Sequence, residues 1–177
     1  MRRLLLLLPL TGCFEYAAVD YTLDVKANRA ALVYRDLRGD DNDFATLVKD
    51  LLPGDAFHSA FPKASVSREE LVVNGETLEV QVDLQGSTPS DLGLQPWSPR
   101  EPYRFCPPDN LVVTTSNATY RDADDCLVWK KGTRVLRVHA VPPTPLGGES
   151  LLGQYLDWVA DGRPELGAAA EPAKQAP

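Results

Sequence analysis

The sequence predicts a single α+β domain, mainly an antiparallel sheet of successive hairpins with two amphipathic helices packed on one face. Three observations support this class. Several short stretches alternate apolar and polar residues between turn residues, as half-buried antiparallel strands do. Two other stretches repeat apolar residues with the period of a helix. The apolar content of 44% and the charged content of 24% are ordinary for a globular domain.

Composition divides the 177 residues into four parts. Residues 1–12 form a leader, residues 13–18 a tether, and residues 19–161 the single domain. Residues 162–177 are rich in Ala, Pro, Glu and Lys and predict a disordered tail. The central part is long enough to bury a substantial core.

Residues 19–25 and 30–37 predict the first hairpin, because apolar and polar residues alternate in both stretches. Asn28, in the turn between them, tolerates a positive φ. A two-residue loop at Ala27-Asn28 fixes the register of the two strands. That register gives three favourable cross-strand pairs, Leu23–Leu32, Tyr21–Tyr34 and Asp20–Arg35.

An acidic stretch at residues 38–43 leads into the first predicted helix. Its Asp and Asn oxygens could ligate calcium, but the ligand spacing and the glycine of a calcium loop are missing. We therefore interpret these carboxylates as the cap of a helix N-terminus. Pro53-Gly54 ends the helix. Its apolar face comprises Phe44, Leu47, Val48, Leu51 and Leu52.

Asn74-Gly75 lies between two apolar stretches and predicts a second hairpin. A two-residue loop would place Glu70 opposite Glu79, which are like charges. A four-residue loop at residues 74–77 avoids this pair and buries the same side chains. We therefore prefer the second register, which gives the pairs Leu71–Val80, Val73–Leu78 and Arg68–Asp83.

Residues 86–108 form a proline-rich segment that contains one predicted helical turn at residues 88–91. Trp97, Tyr103 and Phe105 follow this turn. Aromatic residues on such a loop are a candidate binding surface. Alternatively, they pin a long loop onto its own core. If a functional surface is visible in the sequence, this segment is the first choice.

Residues 111–116 predict a strand, and a last hairpin follows in residues 126–130 and 133–141. The turn of this hairpin is Lys131-Gly132. The register gives two pairs, Leu127–Leu136 and the cation–π pair Trp129–Arg134.

Ser150 caps the second predicted helix. This helix either docks on the sheet or binds a partner, and docking is favoured because a small domain needs the cover. Its apolar face comprises Leu151, Leu152, Tyr155, Leu156 and Val159.

The chain begins with two arginines, an apolar run at residues 4–10 and then small residues, in the order of a secretory signal peptide. The end of this stretch, Leu10-Thr11-Gly12-Cys13, resembles the lipobox of bacterial lipoproteins. The resemblance implies cleavage before Cys13 and attachment of a diacylglyceryl group and palmitate to that cysteine. It also implies a domain outside the cytoplasm in the bacterial cell envelope, with the outer membrane favoured over the inner.

Two alternatives concern this N-terminal stretch. A transmembrane anchor would need about 20 apolar residues, and the run is far shorter. An ordinary cleaved signal peptide would release the protein, and Cys13 would then be coincidental. We favour the lipid anchor because the lipobox pattern is specific in such a position, and two or more acyl chains would hold the protein firmly to a membrane.

Cys106 and Cys126 remain once Cys13 carries lipid, and we expect them to form a disulfide in an oxidising compartment. The alternative is a pair of buried free thiols. A metal site is not expected, because the chain has no Cys-x-x-Cys spacing and neither histidine lies near these cysteines.

The chain is acidic, with a net charge of −7, which argues against nucleic-acid binding. No catalytic motif and no cofactor motif is present. We therefore expect a lipid-anchored, non-enzymatic binding or structural module of the envelope, with the membrane and an envelope protein as partners. One alternative is a periplasmic hydrolase that uses His58 or His139, and another is a subunit of an envelope complex.

Overall fold

The computed structural model describes residues 15–51, 61–107, 111–144 and 147–162, without the side chains at positions 41–43, 50 and 51. The predicted signal peptide with Cys13 lies outside the described residues. The same holds for His58 and for the predicted tail beyond residue 162.

Ten strands, two helices and one 3-10 turn run along the described stretches. In chain order the elements are β1 (Glu15–Asp24), β2 (Arg29–Gly39), α1 (Asp41–Leu51), β3 (Ser65–Asn74), β4 (Thr77–Gln85), the 3-10 turn (Pro89–Leu92), β5 (Tyr103–Phe105), β6 (Val112–Ser116), β7 (Tyr120–Arg121), β8 (Leu127–Trp129), β9 (Val135–Val141), β10 (Glu149–Ser150) and α2 (Leu152–Ala160).

The largest assembly of strands is a seven-stranded antiparallel sheet, with the order β3-β4-β2-β1-β9-β6 and β10 paired to β2. Because successive side chains of a strand point to opposite faces, alternation puts one apolar set on a single face. That face is buried and forms the core of the protein. Its central residues are Val19, Tyr21, Leu23, Ala30, Leu32, Tyr34, Val80, Val82, Leu84, Leu136, Val138 and Ala140. The other face carries mostly polar side chains.

A second, three-stranded sheet with the order β5-β8-β7 covers part of the buried face. Phe105 of β5 stacks on Tyr21 of the large sheet, with ring centroids 5.3 Å apart. The Tyr21 hydroxyl donates a hydrogen bond to the carbonyl of Leu92, which holds the 3-10 turn against the same face. Trp129 of β8 is completely buried in this core.

The predicted α+β class is therefore wrong, since the part of the chain that the structure describes is mostly antiparallel sheet, with 49% strand and 15% helix. We expected two amphipathic helices to cover the sheet. The 3-10 turn and the small sheet instead supply much of that cover. The helical period still predicts local burial correctly, because Phe44, Leu47 and Val48 of α1 are buried.

The first hairpin forms with a register that differs from the predicted one by two residues. Tyr21 lies opposite Leu32, and Leu23 opposite Ala30. The reason is a longer turn, in which the Asp24 carboxylate accepts hydrogen bonds from the backbone N–H groups of Lys26 and Ala27 at 3.0 Å each. The same apolar side chains are buried in both registers.

Two details of the first hairpin are confirmed. Asn28 has a φ of 50°, as its place in the turn predicted. Asp20 and Arg35 form an ion pair of 2.5 Å, although Asp20 lies directly opposite Val33. The long arginine side chain reaches the carboxylate diagonally across the strands.

The second hairpin has the predicted register, with the pairs Leu71–Val80, Val73–Leu78 and Arg68–Asp83. The last hairpin was predicted wrongly. Its first half, β8, pairs with β5 and β7, and its second half, β9, pairs with β1 and β6. All three residues of β8 are buried, which requires cover on both faces and therefore more than a two-stranded hairpin. The predicted cation–π pair of Trp129 with Arg134 is absent for this reason, and Arg134 lies near Asp24 at 3.4 Å.

The predicted tether is shorter than expected, because β1 begins at Glu15. Glu15, Tyr16 and Ala18 pair with residues of β2, so this stretch belongs to the sheet. Ala18 is buried, although a tether would leave it in solvent.

Candidate functional site

The proline-rich segment is fixed to the core before it reaches its exposed aromatic residue. The helical turn predicted at residues 88–91 forms as the 3-10 turn, with Thr88 as its N-cap and Pro89 in its first turn. The Asp91 carboxylate accepts hydrogen bonds from the backbone N–H groups of Thr88 at 2.8 Å and Ser87 at 3.0 Å. Leu92 is fully buried beyond this turn. The start of the segment is therefore rigid.

Trp97 lies in a short antiparallel loop closed by Gln95 and Arg104. The backbones of these two residues exchange hydrogen bonds of 2.8 and 3.1 Å. Within the loop, Ser98 and Glu101 exchange a further backbone pair, of 3.0 and 3.2 Å. The loop holds Trp97 between two sets of backbone hydrogen bonds, and 48% of its surface remains exposed.

Arg104 packs against the Trp97 ring and forms ion pairs with two acidic residues. Its Nε donates to Asp122 Oδ2 at 2.6 Å, and its Nη2 donates to Asp124 Oδ2 at 2.7 Å. Its Nη1 donates to Gln95 Oε1 at 3.2 Å. The guanidinium carbon lies 4.4 Å from the centroid of the Trp97 ring, a cation–π contact.

The electrostatics of this cluster favour the charged forms. The hydrogen bond from Arg104 to Asp122 is the main reason that the pKa of Arg104 is raised. Burial would raise the pKa of Asp122, but hydrogen bonds from Arg104 and from the backbone of Cys126 and Asp124 outweigh it, and the pKa is lowered. Both side chains are about nine-tenths buried, so the pair is only weakly screened by solvent.

Tyr120 of β7 completes the exposed aromatic surface, since 40% of its area is accessible. Its hydroxyl donates to Glu101 Oε2 at 2.9 Å, and this hydrogen bond is the main cause of its raised pKa. The same hydroxyl lies near Trp97, whose smaller influence acts to lower the pKa of Tyr120. We call the exposed rings of Trp97 and Tyr120, with Arg104 against the Trp97 ring, the aromatic platform.

The three aromatic residues of the predicted binding surface have different positions. Trp97 is exposed, Tyr103 is partly buried against the core, and Phe105 is 3% exposed. Phe105 therefore contributes no exposed surface, and it pins the segment to the core as the alternative reading expected. Arg104 and Tyr120 were not predicted from the sequence. Arg104 contacts Asp122 and Tyr120 contacts Glu101 across the small sheet, and no local sequence pattern indicates contacts between residues so far apart in the chain.

The predicted disulfide between Cys106 and Cys126 is confirmed. It joins the end of β5 to the start of β8, next to the pair of Arg104 with Asp122. The bond thus closes the small sheet beside the aromatic platform.

His139 lies on the polar face of the large sheet, far in sequence from its partners. Its Nδ1 is 2.6 Å from Asp20 Oδ1. Asp20 also binds Arg35, and Arg35 Nη1 donates to Glu79 Oε1 at 2.7 Å. Asn74 donates to the same Glu79 oxygen at 3.0 Å. The network therefore links β9, β1, β2, β4 and β3.

Asp20 orients the imidazole of His139 as a carboxylate does in a hydrolase triad. Burial would raise the pKa of Asp20, but hydrogen bonds from His139 and Arg35 outweigh it, and the pKa is lowered. Thr115 lies opposite His139 across β6 and β9. Among the described residues no hydrogen bond joins its hydroxyl to the imidazole, so the nucleophile–base contact of such a site is not formed.

Two surface depressions lie elsewhere on the molecule. The smaller, of about 480 Å³, is lined by residues that include Asp36 and Arg38, and the larger, of about 600 Å³, by residues that include Arg29 and Asp83. Neither includes Trp97 or His139. Within the described stretches, no group of three or more His, Cys, Asp or Glu side chains could hold a metal ion. No helix in these stretches has the length and apolar character needed to cross a membrane.

The chain matches no protein-family model, no curated protein and no solved structure. Its function has to be inferred from its own residues. The aromatic platform is the best-built exposed site among the described residues, because hydrogen bonds, a cation–π contact and a nearby disulfide fix its geometry.

Proposed function

We propose that this protein is a non-enzymatic binding module of the bacterial cell envelope, anchored by lipid on Cys13 and binding through the aromatic platform. The observation that carries the anchor is Leu10-Thr11-Gly12-Cys13 behind a short apolar run. The disulfide of Cys106 with Cys126 supports export, since disulfides persist in oxidising compartments. The acidic net charge is compatible with this role, because the lipid does the anchoring.

The binding role rests on the construction of the platform. A rigid exposed Trp loses little conformational entropy on binding, so its contact area contributes efficiently to affinity. Arg104 packs against the ring, and Tyr120 lies beside it. Phe105 is buried because it pins the segment to the core. The fold does not require the exposure of the Trp97 ring.

Metabolic labelling with a fatty acid tests the anchor. The wild-type protein should take up the label and sediment with membranes, and density-gradient fractionation should place it in the outer membrane. The Cys13→Ser variant should lose the label and be released. Equal labelling of this variant would overturn the lipid anchor.

Photo-crosslinking in intact cells tests the binding surface. A photoreactive residue at position 100, on the exposed part of the Trp97 loop, should capture a specific partner. The same residue at position 156, exposed on α2, serves as the matched control. Capture that is equal at both positions would contradict a role for the platform. Capture of one stoichiometric envelope protein would identify the chain as a subunit of an envelope complex.

A second candidate function is a periplasmic hydrolase, and the Asp20–His139 contact of 2.6 Å is the observation that favours it. In this case His139 acts as the general base for a hydroxyl nucleophile, with Thr115 as the nearest candidate by strand pairing. A fluorophosphonate probe should then label the protein, and His139→Ala should abolish the label. An unlabelled wild-type protein would count against this reaction.

A further inference from the structure

Three exposed cations lie together at one end of the large sheet. Arg100 belongs to the Trp97 loop, and Lys130 and Lys131 belong to the turn between β8 and β9. The backbone N–H of Lys131 donates a hydrogen bond of 2.7 Å to the carbonyl of Arg100, which joins the loop to the turn. We call Arg100, Lys130 and Lys131 the cationic corner.

The turn that carries the two lysines has a fixed shape. The backbone N–H and the hydroxyl of Thr133 both donate to the carbonyl of Lys130, at 3.3 and 3.0 Å. The N–H of Lys130 donates to the Thr119 hydroxyl at 3.1 Å. Gly132 has a φ of 94°, a conformation that glycine adopts without strain. Because the backbone is already fixed, a partner that binds the corner has to order only the side chains.

Carboxylates do not neutralise the cations of this corner. Among the residues that the structure describes, none of the three cations forms an ion pair. Glu101 is the next residue in the loop, and its carboxylate accepts the Tyr120 hydroxyl at 2.9 Å. The Asp24 carboxylate, at the same end of the sheet, binds Arg134 at 3.4 Å. An anionic group that binds the corner therefore displaces no existing ion pair.

An acidic turn limits this surface on its other side. Residues 122–125 carry three aspartates and precede β8, whereas Lys130 follows it. Two of these carboxylates bind Arg104, which packs against the Trp97 ring, and Asp124 is 77% exposed. A chain with anionic groups along its whole length would meet these aspartates as it crossed the aromatic platform. A partner with one local group of carboxylates would not, because that group can stay at the cationic corner.

Strand pairing places the cationic corner at the end of the sheet that is remote from Glu15. Asp24, the last residue of β1, pairs with Val135, the first residue of β9. The turn that carries the two lysines directly precedes β9. In the proposed lipidated form, the anchor and the corner therefore lie at opposite ends of β1. This placement does not favour the headgroups of the anchoring membrane as the partner.

We propose that the cationic corner and the aromatic platform together bind an acidic segment of another protein, in which a group of Asp or Glu residues lies beside apolar side chains. The carboxylates pair with the corner, and the apolar side chains contact the exposed Trp97 and Tyr120. Trp, Tyr and Arg are the residue types that concentrate binding energy at protein interfaces. Complementary charge speeds association and selects the partner. This inference names the partner class of the proposed binding function and rests on it.

Photo-crosslinking with mapping of the captured peptide tests the proposal in intact cells. A photoreactive residue at the exposed position 99 leaves all three cations of the corner in place. The captured peptide should contain several Asp or Glu residues together with apolar residues. Lys130→Glu/Lys131→Glu should reduce this capture about tenfold or more. Lys49→Glu/Arg137→Glu makes the same change in net charge at exposed sites on α1 and β9, and it should leave the capture unchanged.

Fluorescence anisotropy with the purified Cys13→Ser protein tests the charge requirement directly. The probe is a labelled peptide of Glu and Leu residues, and the matched control peptide has Gln in place of Glu. The Glu–Leu peptide should bind more tightly than the Gln–Leu peptide at low ionic strength, and added salt should weaken it because exposed charge pairs are screened. Polygalacturonate and phosphatidylglycerol vesicles represent an acidic glycan and a lipid surface. Per anionic group, both should compete less well than unlabelled Glu–Leu peptide.

Several results would overturn the proposal. These are a captured peptide without acidic residues, equal capture by the two double variants, equal binding of the two peptides, and better competition by polygalacturonate or by the vesicles. The failures can be told apart. If position 99 captures one protein through a neutral or basic peptide, the acidic partner is wrong and the binding function stands. If position 99 and the control position 156 capture alike, the binding function fails as well.

Discussion

Removal of the Cys106–Cys126 disulfide should lower the free energy of unfolding by about 3 kcal/mol. The two cysteines are separated by 20 residues. In the chain-entropy model, closing a loop of about this length restricts the unfolded chain and stabilises the fold by on the order of 3 kcal/mol. The native structure contributes a smaller effect of its own, since Cys126 is 2% exposed and its truncation leaves space in the core.

Urea unfolding of the wild type and of the Cys106→Ala/Cys126→Ala variant measures this difference. The fluorescence of the fully buried Trp129 reports the unfolding of the core. The oxidised wild type should exceed the double variant by about 3 kcal/mol, and a reducing agent should remove most of that gap. The double variant should not respond to the reducing agent, which makes it the control. A difference below about 1 kcal/mol would refute the reasoning.

Three further predictions concern single side chains. Arg104→Met leaves Asp122 buried without its cation and should cost about 3 kcal/mol in urea unfolding, with only partial recovery in Arg104→Lys; a loss under about 1 kcal/mol would contradict the ion pair. The folded-state pKa of Asp20 lies below its ordinary value, so its ionised form stabilises the protein above about pH 4 and ceases to do so as the pH falls through the folded pKa. The stability gap between wild type and Asp20→Asn, about 1 kcal/mol at pH 7, should therefore shrink towards pH 2, and a constant gap would count against it. Gly148 has a φ of 68°, and a Cβ at this position would lie 3.0 Å from the backbone nitrogen of Gly39. Gly148→Ala should therefore destabilise the protein by about 1–2 kcal/mol and lower its melting temperature. An unchanged melting temperature would show that β10 can shift to accept the methyl group.

Local sequence patterns predicted the positions of the strands better than they predicted which strands pair with one another. The register of the second hairpin was chosen because it separates Glu70 from Glu79, and in the structure Glu70 does lie opposite Gln81. The first register failed because the Asp24 carboxylate holds two backbone N–H groups and lengthens the turn. Alternation alone could not separate the two registers, since a shift of two residues keeps every side chain on its face.

The fold class and the full candidate site could not be predicted from the sequence, and the two failures have the same cause. The strands β5, β7 and β8 have two or three residues each, too few for a period to show. Without them, the cover of the large sheet had to be assigned to helices. The same short strands bring Arg104 to Asp122 and Tyr120 to Glu101. Trp97 could be chosen from the sequence as an aromatic residue on a loop, but its supporting residues could not.

In the proposed lipidated form, the early start of β1 sets the height of the domain above the membrane. Cys13 precedes Glu15 by two residues, a span of at most about 7 Å. The ten residues of β1 then run about 30 Å to the hairpin turn, where Asn28 meets Ser87 just before the Trp97 segment. The length of the sheet, and not that of a flexible linker, therefore determines how far from the lipid surface this lipidated form binds a ligand. Such a domain samples only a thin layer above its own membrane, and structures farther away must come to it.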